Sequence, residues 1–99
     1  MILHAVRFDC SGVDEADRRE FEDGLAALAD LDVVLWLRVG RDLTDPAVTG
    51  LLTAHADADA LEAYRVHPDH QPSVQRVASL GIPATRFDIE VPDVPAQGS

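Results

Sequence analysis

The sequence predicts an α+β domain of the ferredoxin-like kind, β-α-β-β-α-β, one four-stranded antiparallel sheet with its helices on one face. Three observations carry that prediction. Four short runs, 2–9, 33–39, 48–55 and 85–91, alternate in polarity or concentrate β-branched and aromatic residues. Apolar residues recur at helical spacing at Phe21, Leu25 and Leu28, and again at Leu61 and Tyr64. The run 33–39 is apolar on both faces, and a layer of helices covers only one face of a sheet. The other face then needs a second sheet, so a homodimer packed sheet against sheet is expected.

In chain order, Ile2, His4, Val6 and Phe8 alternate with Leu3, Ala5, Arg7 and Asp9, which makes a first strand with His4 on its more apolar face. Ser11-Gly12 is turn chemistry, and Asp14 with Asp17 opens a helix expected to run to Asp30. Glu15 with Arg19, and Arg18 with Glu22, are i,i+4 pairs of the sort found on a solvated helix face. Val33 to Val39 reads as the second strand, closed by Gly40. Arg41 to Pro46 is a polar loop, and Val48 to His55 a third strand that Gly50 weakens and at whose end His55 is expected to be exposed. Asp57 or Asp59 then caps a helix carrying Leu61 and Tyr64, and Asp59 with Glu62 fits a capping box. Pro68 stops that helix near Val66 and starts another, which Gly81 ends. Thr85 to Val91 is the fourth strand, with Phe87, Ile89 and Val91 expected to face in. The domain thus spans 1–91, and 92–99, with two prolines and a glycine, reads as a loose tail.

Composition excludes several function classes. A formal charge of −10, with 8 basic against 18 acidic residues, opposes binding to a phosphate backbone, so nucleic acid is not an expected partner. All the basic residues are arginine, which excludes Schiff-base chemistry through lysine. Cys10 is the single cysteine, so an intrachain disulfide, a dithiol redox motif and a Cys-based zinc site are all excluded. No run approaches the ~20 apolar residues that span a bilayer, and Met1-Ile2-Leu3-His4 lacks the features of a signal peptide. A soluble cytoplasmic protein is the expectation.

Chemistry concentrates in Ala63-Tyr64-Arg65-Val66-His67-Pro68-Asp69-His70, which sets a phenol and two imidazoles around a helix break. His70 falls in the first turn of a helix, where the macrodipole lowers an imidazole pKa while Asp69 raises it. Two readings follow for Tyr64 and His70. In one they form a general-base pair, the imidazole removing a proton α to a carbonyl while the phenol orients it or donates to the developing enolate oxygen. In the other Tyr64 packs in the core, and His70 and His67 hydrogen-bond the helix junction. His67, extended before proline, reads as a structural donor. A metal is not expected, because Pro68 interrupts the helical face that a His-x-x-His pair would use.

These residues resemble the stress-responsive A/B barrel domain (Dabb) family of the dimeric α+β barrel superfamily. The match rests on Tyr64-x-x-His67-Pro68-x-His70 together with Ile2-x-His4, and extends over nearly the whole chain. The resemblance implies a homodimer, and by analogy with a plant polyketide cyclase of the family, catalytic roles for Tyr64, His70 and His4 without a cofactor. Thr49 occupies the position of that enzyme's strand-three histidine. A mostly apolar pocket between sheet and helices is expected, with Phe8, Phe21, Leu25, Leu52 and His67 around the catalytic groups. Its expected ligand is a small carbonyl-containing or aromatic metabolite undergoing cyclisation or isomerisation. The alternative is a non-catalytic binding or stress-related dimer in which the signature is structural.

Overall fold

The computed structural model of the chain describes residues 1–93, so residues 94–99 of the expected tail lie outside the described residues. Four strands, β1 (Ile2–Asp9), β2 (Trp36–Arg41), β3 (Val48–His55) and β4 (Ala84–Glu90), form one antiparallel sheet in the order β2-β3-β1-β4. Three helices, α1 (Glu15–Ala26), α2 (Ala58–Arg65) and α3 (Gln71–Leu80), complete the ferredoxin-like arrangement. None of the described helices is long and apolar enough to cross a membrane.

Local chemistry sets most boundaries where the sequence puts them. The Asp14 carboxylate accepts the Asp17 backbone N–H at 2.9 Å, and α1 passes into a 3-10 turn, Ala27–Asp30. Of the two candidate caps of α2, Asp57 is the one used, accepting the Ala60 N–H at 2.8 Å. Gly81, at φ 65°, supplies the left-handed residue that ends α3.

Expectations for two of the strands need correction. The second strand begins at Trp36 rather than Val33, and continues through Gly40 to Arg41. Gly40 pairs directly with Gly50 of β3, so two residues without side chains face each other and neither strand is broken. In β4 the alternation holds but its sense is reversed. Register places Phe87 opposite Ala5 and Ile89 opposite Leu3, on the helix-free face, and leaves them 64% and 44% exposed. Arg86 and Asp88 take the helix side, opposite Val6 and His4.

The core lies between the helices and the other sheet face, where Phe8 meets Phe21 edge to face at 5.0 Å and Leu25, Leu37 and Leu51 pack around them. A polar network enters it. Arg18, expected on the solvated face, is 6% exposed, because helical spacing sets it on the same stripe as Phe21 and Leu25. Its Nε and Nη2 donate to Thr49 Oγ1 at 3.1 and 3.0 Å, and that hydroxyl donates to Glu22 Oε2 at 2.7 Å. Arg41 closes the network on Glu22 at 2.8 Å.

Candidate active site

The helix break positions the site. Pro68 cannot supply a backbone N–H and forces His67 into an extended conformation, φ −61° and ψ 134°, so α2 ends at Arg65. A 3-10 turn, Pro68–His70, follows and leads into α3. His67 caps that turn as an acceptor, not the expected donor, its Nδ1 taking the Asp69 N–H at 3.1 Å. The turn brings the His70 ring back over Tyr64, centroids 4.5 Å apart. There His70 Nδ1–H donates to the Arg65 carbonyl at 3.2 Å, one of the carbonyls a helix end leaves without an intrahelical partner.

Beside this junction a cleft of about 290 Å³ lies between α3 and the β3-β1-β4 part of the sheet. His4 and His70 are its imidazoles; Val6, Phe8, Leu25 and Leu51 are part of its apolar wall. A carbonyl oxygen only accepts, so His70 carries its proton on Nδ1 and its lone pair on Nε2. The same logic fixes His4. Its Nδ1 hydrogen-bonds the Asp88 carboxylate, so the neutral ring also keeps its lone pair on Nε2. Asp88 lies 3.9 Å from Arg65 Nη2 as well, linking strand β4 to the end of α2.

Of the residues expected in the pocket, His4, Phe8, Leu25 and His70 line the cleft and four do not. Tyr64 is fully buried behind it, its ring flanked by His4 at 6.0 Å and His55 at 5.0 Å, and its hydroxyl has no hydrogen-bond partner among the described residues. Phe21 is spent on packing against Phe8. Leu52 points to the helix-free face, because strand alternation gives the cleft its neighbour Leu51 instead. His67 stays at the turn. His55, expected to be exposed, is fully buried, with Nδ1–H donating to the Val33 carbonyl at 2.7 Å and Nε2 accepting from Thr53 Oγ1 at 2.8 Å. The strand-three imidazole beside Tyr64 is thus His55, while Thr49 belongs to the Arg18 network.

Sequence reasoning passed over Arg65, Asp88 and Arg86. Only strand register sets Asp88 opposite His4, so no local signal marks it. Among the described residues no group of three or more His, Cys, Asp or Glu side chains is placed to hold a metal ion.

The profile of the stress responsive A/B barrel domain family matches residues 2–91. The chain belongs to that family. No curated protein matches it. Solved structures share the fold of this A/B barrel domain at low identity. A candidate antibiotic biosynthesis monooxygenase from Deinococcus radiodurans superposes with TM-score 0.86 at 16% identity, covering 100% of both chains. SnoaB, a cofactor-independent oxygenase from Streptomyces nogalater, gives TM-score 0.79 at 14% identity over 97% of each chain. A dimeric ferredoxin-like protein of unknown function from Thermobifida fusca gives 0.71 at 22% identity, covering 89% of this chain and 90% of its own.

Burial controls the titration of the A/B barrel site. It lowers the His70 pKa below the ordinary imidazole value, against the hydrogen bond to the Arg65 carbonyl, with the His4 and His67 charges adding to the depression. Burial likewise lowers His55 and raises the Tyr64 phenol to about 12, so the phenol stays protonated at neutral pH.

Both histidines bind a proton less tightly when folded than when unfolded. Above pH 7 this has no consequence. As pH falls through the unfolded value near 6.5, the unfolded chain takes up protons that the native state refuses, so stability declines until pH drops below the native values. Urea denaturation is expected to show lower stability at about pH 5.5 than at about pH 7.5, with a shallower slope in His55→Gln. Glu15, held at about 2 first by Arg41 and then by Arg19, titrates well below that window.

Tyr64→Phe removes a hydroxyl that has no hydrogen-bond partner among the described residues. Its expected effect on stability is within about 1 kcal/mol, in the stabilising direction, because the unpaired group is desolvated without return. A loss of about 2 kcal/mol or more on urea denaturation, above the net worth of a single hydrogen bond, would mean the hydroxyl is bonded in the folded protein.

Proposed function

We propose that this A/B barrel domain is a homodimeric enzyme subunit whose cleft binds a small carbonyl-containing or aromatic metabolite and moves protons without a cofactor. The observation that carries the reading is His70. Its Nδ1 is tied to the Arg65 carbonyl, its Nε2 is the basic nitrogen, and burial keeps the ring neutral beside an apolar cleft. Nε2 takes the proton α to a carbonyl, the electron pair of that C–H bond moves onto the carbonyl oxygen, and the imidazolium returns the proton to the product. His4, oriented by Asp88, is the second acid/base group, and Asp88 is a positioning residue. Proton transfer between imidazole and a carbon acid calls for no cofactor, and SnoaB, which shares the fold, is a cofactor-independent oxygenase.

The test uses benzylacetone, a ketone small enough for the cleft, with exchange of its α-protons in D2O followed by NMR. Exchange above the buffer rate that bells with pH through imidazole titration supports the reading; exchange at the buffer rate counts against it. One observation favours non-catalytic binding instead: the Tyr64 hydroxyl does not reach the cleft, so one member of the expected pair is absent from it. Under that reading benzylacetone binds without exchange.

The homodimer reading rests on the helix-free face. Phe87 and Ile89 stand exposed there beside Leu3, Ala5 and Leu52, an apolar stripe across three strands that a second sheet would cover. Sedimentation is expected to give the mass of two chains, and Phe87→Asp with Ile89→Asp the mass of one with the circular dichroism unchanged. A wild-type monomer would remove this part of the proposal.

A further inference from the structure

The eight arginines are not used alike. Arg7, Arg18, Arg19, Arg41, Arg65 and Arg76 each lie within 4.0 Å of a carboxylate, and Arg38 donates to the Leu37 carbonyl and stacks over Trp36. Arg65 and the remaining one, Arg86, both line the cleft. Arg86 has no ion-pair or hydrogen-bond partner among the described residues, although the chain holds 18 carboxylates. Arg65 meets Glu62 and Asp88 only at 3.8 and 3.9 Å, beyond hydrogen-bond reach, and its Nε is buried with no partner among the described residues.

Among the described residues, no aspartate or glutamate lines the cleft. In a chain of net charge −10 this is a concave surface of opposite sign, with two guanidiniums carrying unused donors beside an apolar wall. We propose that the cleft takes an organic acid, its apolar body against Val6, Phe8, Leu25 and Val77 and its carboxylate held by Arg65 and Arg86. This rests on the proposed ligand-binding role of the cleft and narrows its substrate class. A guanidinium donates two parallel N–H groups to a carboxylate, and a neutral isostere forfeits the charge-assisted part of that interaction.

The test titrates the full chain with para-pentylbenzoate and with para-pentylbenzamide, of nearly equal shape, by calorimetry and by NMR of the His4 and His70 ring protons. The acid is expected to bind about tenfold more tightly at low salt, as one charge-assisted contact provides. That preference should shrink as salt rises and fall to near unity in Arg86→Gln combined with Arg65→Gln, the amide affinity staying the same. Arg86→Gln alone, at an exposed strand position, should remove part of it without affecting folding. Equal binding of acid and amide by the wild type would overturn the organic-acid assignment and leave the ligand-binding cleft standing. A preference that survives in the double variant would also overturn it, since the anion would then be held by other groups. Binding of neither probe, with the His4 and His70 signals unmoved, would overturn both readings together.

Discussion

Replacing His70 by alanine should lower benzylacetone α-proton exchange by about 10²- to 10⁴-fold, the range a positioned general base provides. The effect is expected to be this large because the proposed step assigns proton abstraction to His70. His4, its Nδ1 held by Asp88, fills the second acid/base role, His55 is buried with both nitrogens engaged, and the Tyr64 phenol, at about 12, is a poor base at neutral pH. The variant should still fold, since the ring's one hydrogen bond is a single 3.2 Å contact to the Arg65 carbonyl, which Gln71 also meets at 3.2 Å. His70→Asn separates the two roles. Its side-chain amide keeps a donor for the carbonyl while offering no basic nitrogen, so it should match alanine in rate and the wild type in stability. Wild-type exchange in both variants would mean that His70 is not the base.

Arg18→Ala should destabilise the protein by about 3 kcal/mol, the lower end of the cost of breaking a buried ion pair. The lower end applies because Arg41 still holds Glu22 at 2.8 Å. What is lost is the pair of donors to Thr49 Oγ1 and the Arg18–Glu22 contact at 3.6 Å, with Arg18 and Thr49 both buried. Denaturation midpoints compared at one fixed protein concentration provide the measurement. Arg18→Met with Thr49→Val, which replaces the polar groups by apolar ones of similar shape, should recover most of the loss. If Arg18→Ala costs under about 1 kcal/mol, the network behaves as a surface ion pair.

Much of the site was legible in the residues themselves. Pro68 ends one helix and begins the next turn wherever the chain goes, because the missing N–H and the ring sterics are local. That is why the order of elements, the junction carrying Tyr64 and His70, and the placement of His4 with Val6 and Phe8 could all be read in advance. Alternation by two also survives in every strand, and in β3 it was enough to set His55 on the side of Leu51 and Thr53. The expectation of an exposed His55 failed because burial is not a local property: the loop carrying Val33 closes over the end of the strand.

The family signature, Tyr64-x-x-His67-Pro68-x-His70, marks where the chain turns but not which side chain reaches the cleft. Tyr64 and His70 are six residues apart and stack on each other, yet only the imidazole lines the cavity. Leu52 and Leu51 differ by one position and take opposite faces of the sheet. Phe87 and Ile89 make an apolar stripe that alternation alone directs inward, until the β1–β4 register assigns the helix side to Arg86 and Asp88. The sequence by itself determined the elements, their order and the histidines around the helix break, since these follow from backbone sterics and side-chain periodicity over a few residues. Tertiary structure decided the partners, Asp88 for His4 and Thr49 for Arg18, and brought Arg65 and Arg86 to the cleft. Those contacts span 84 residues in the first case and 31 in the second, and are fixed by strand register and by how the helix layer covers the sheet.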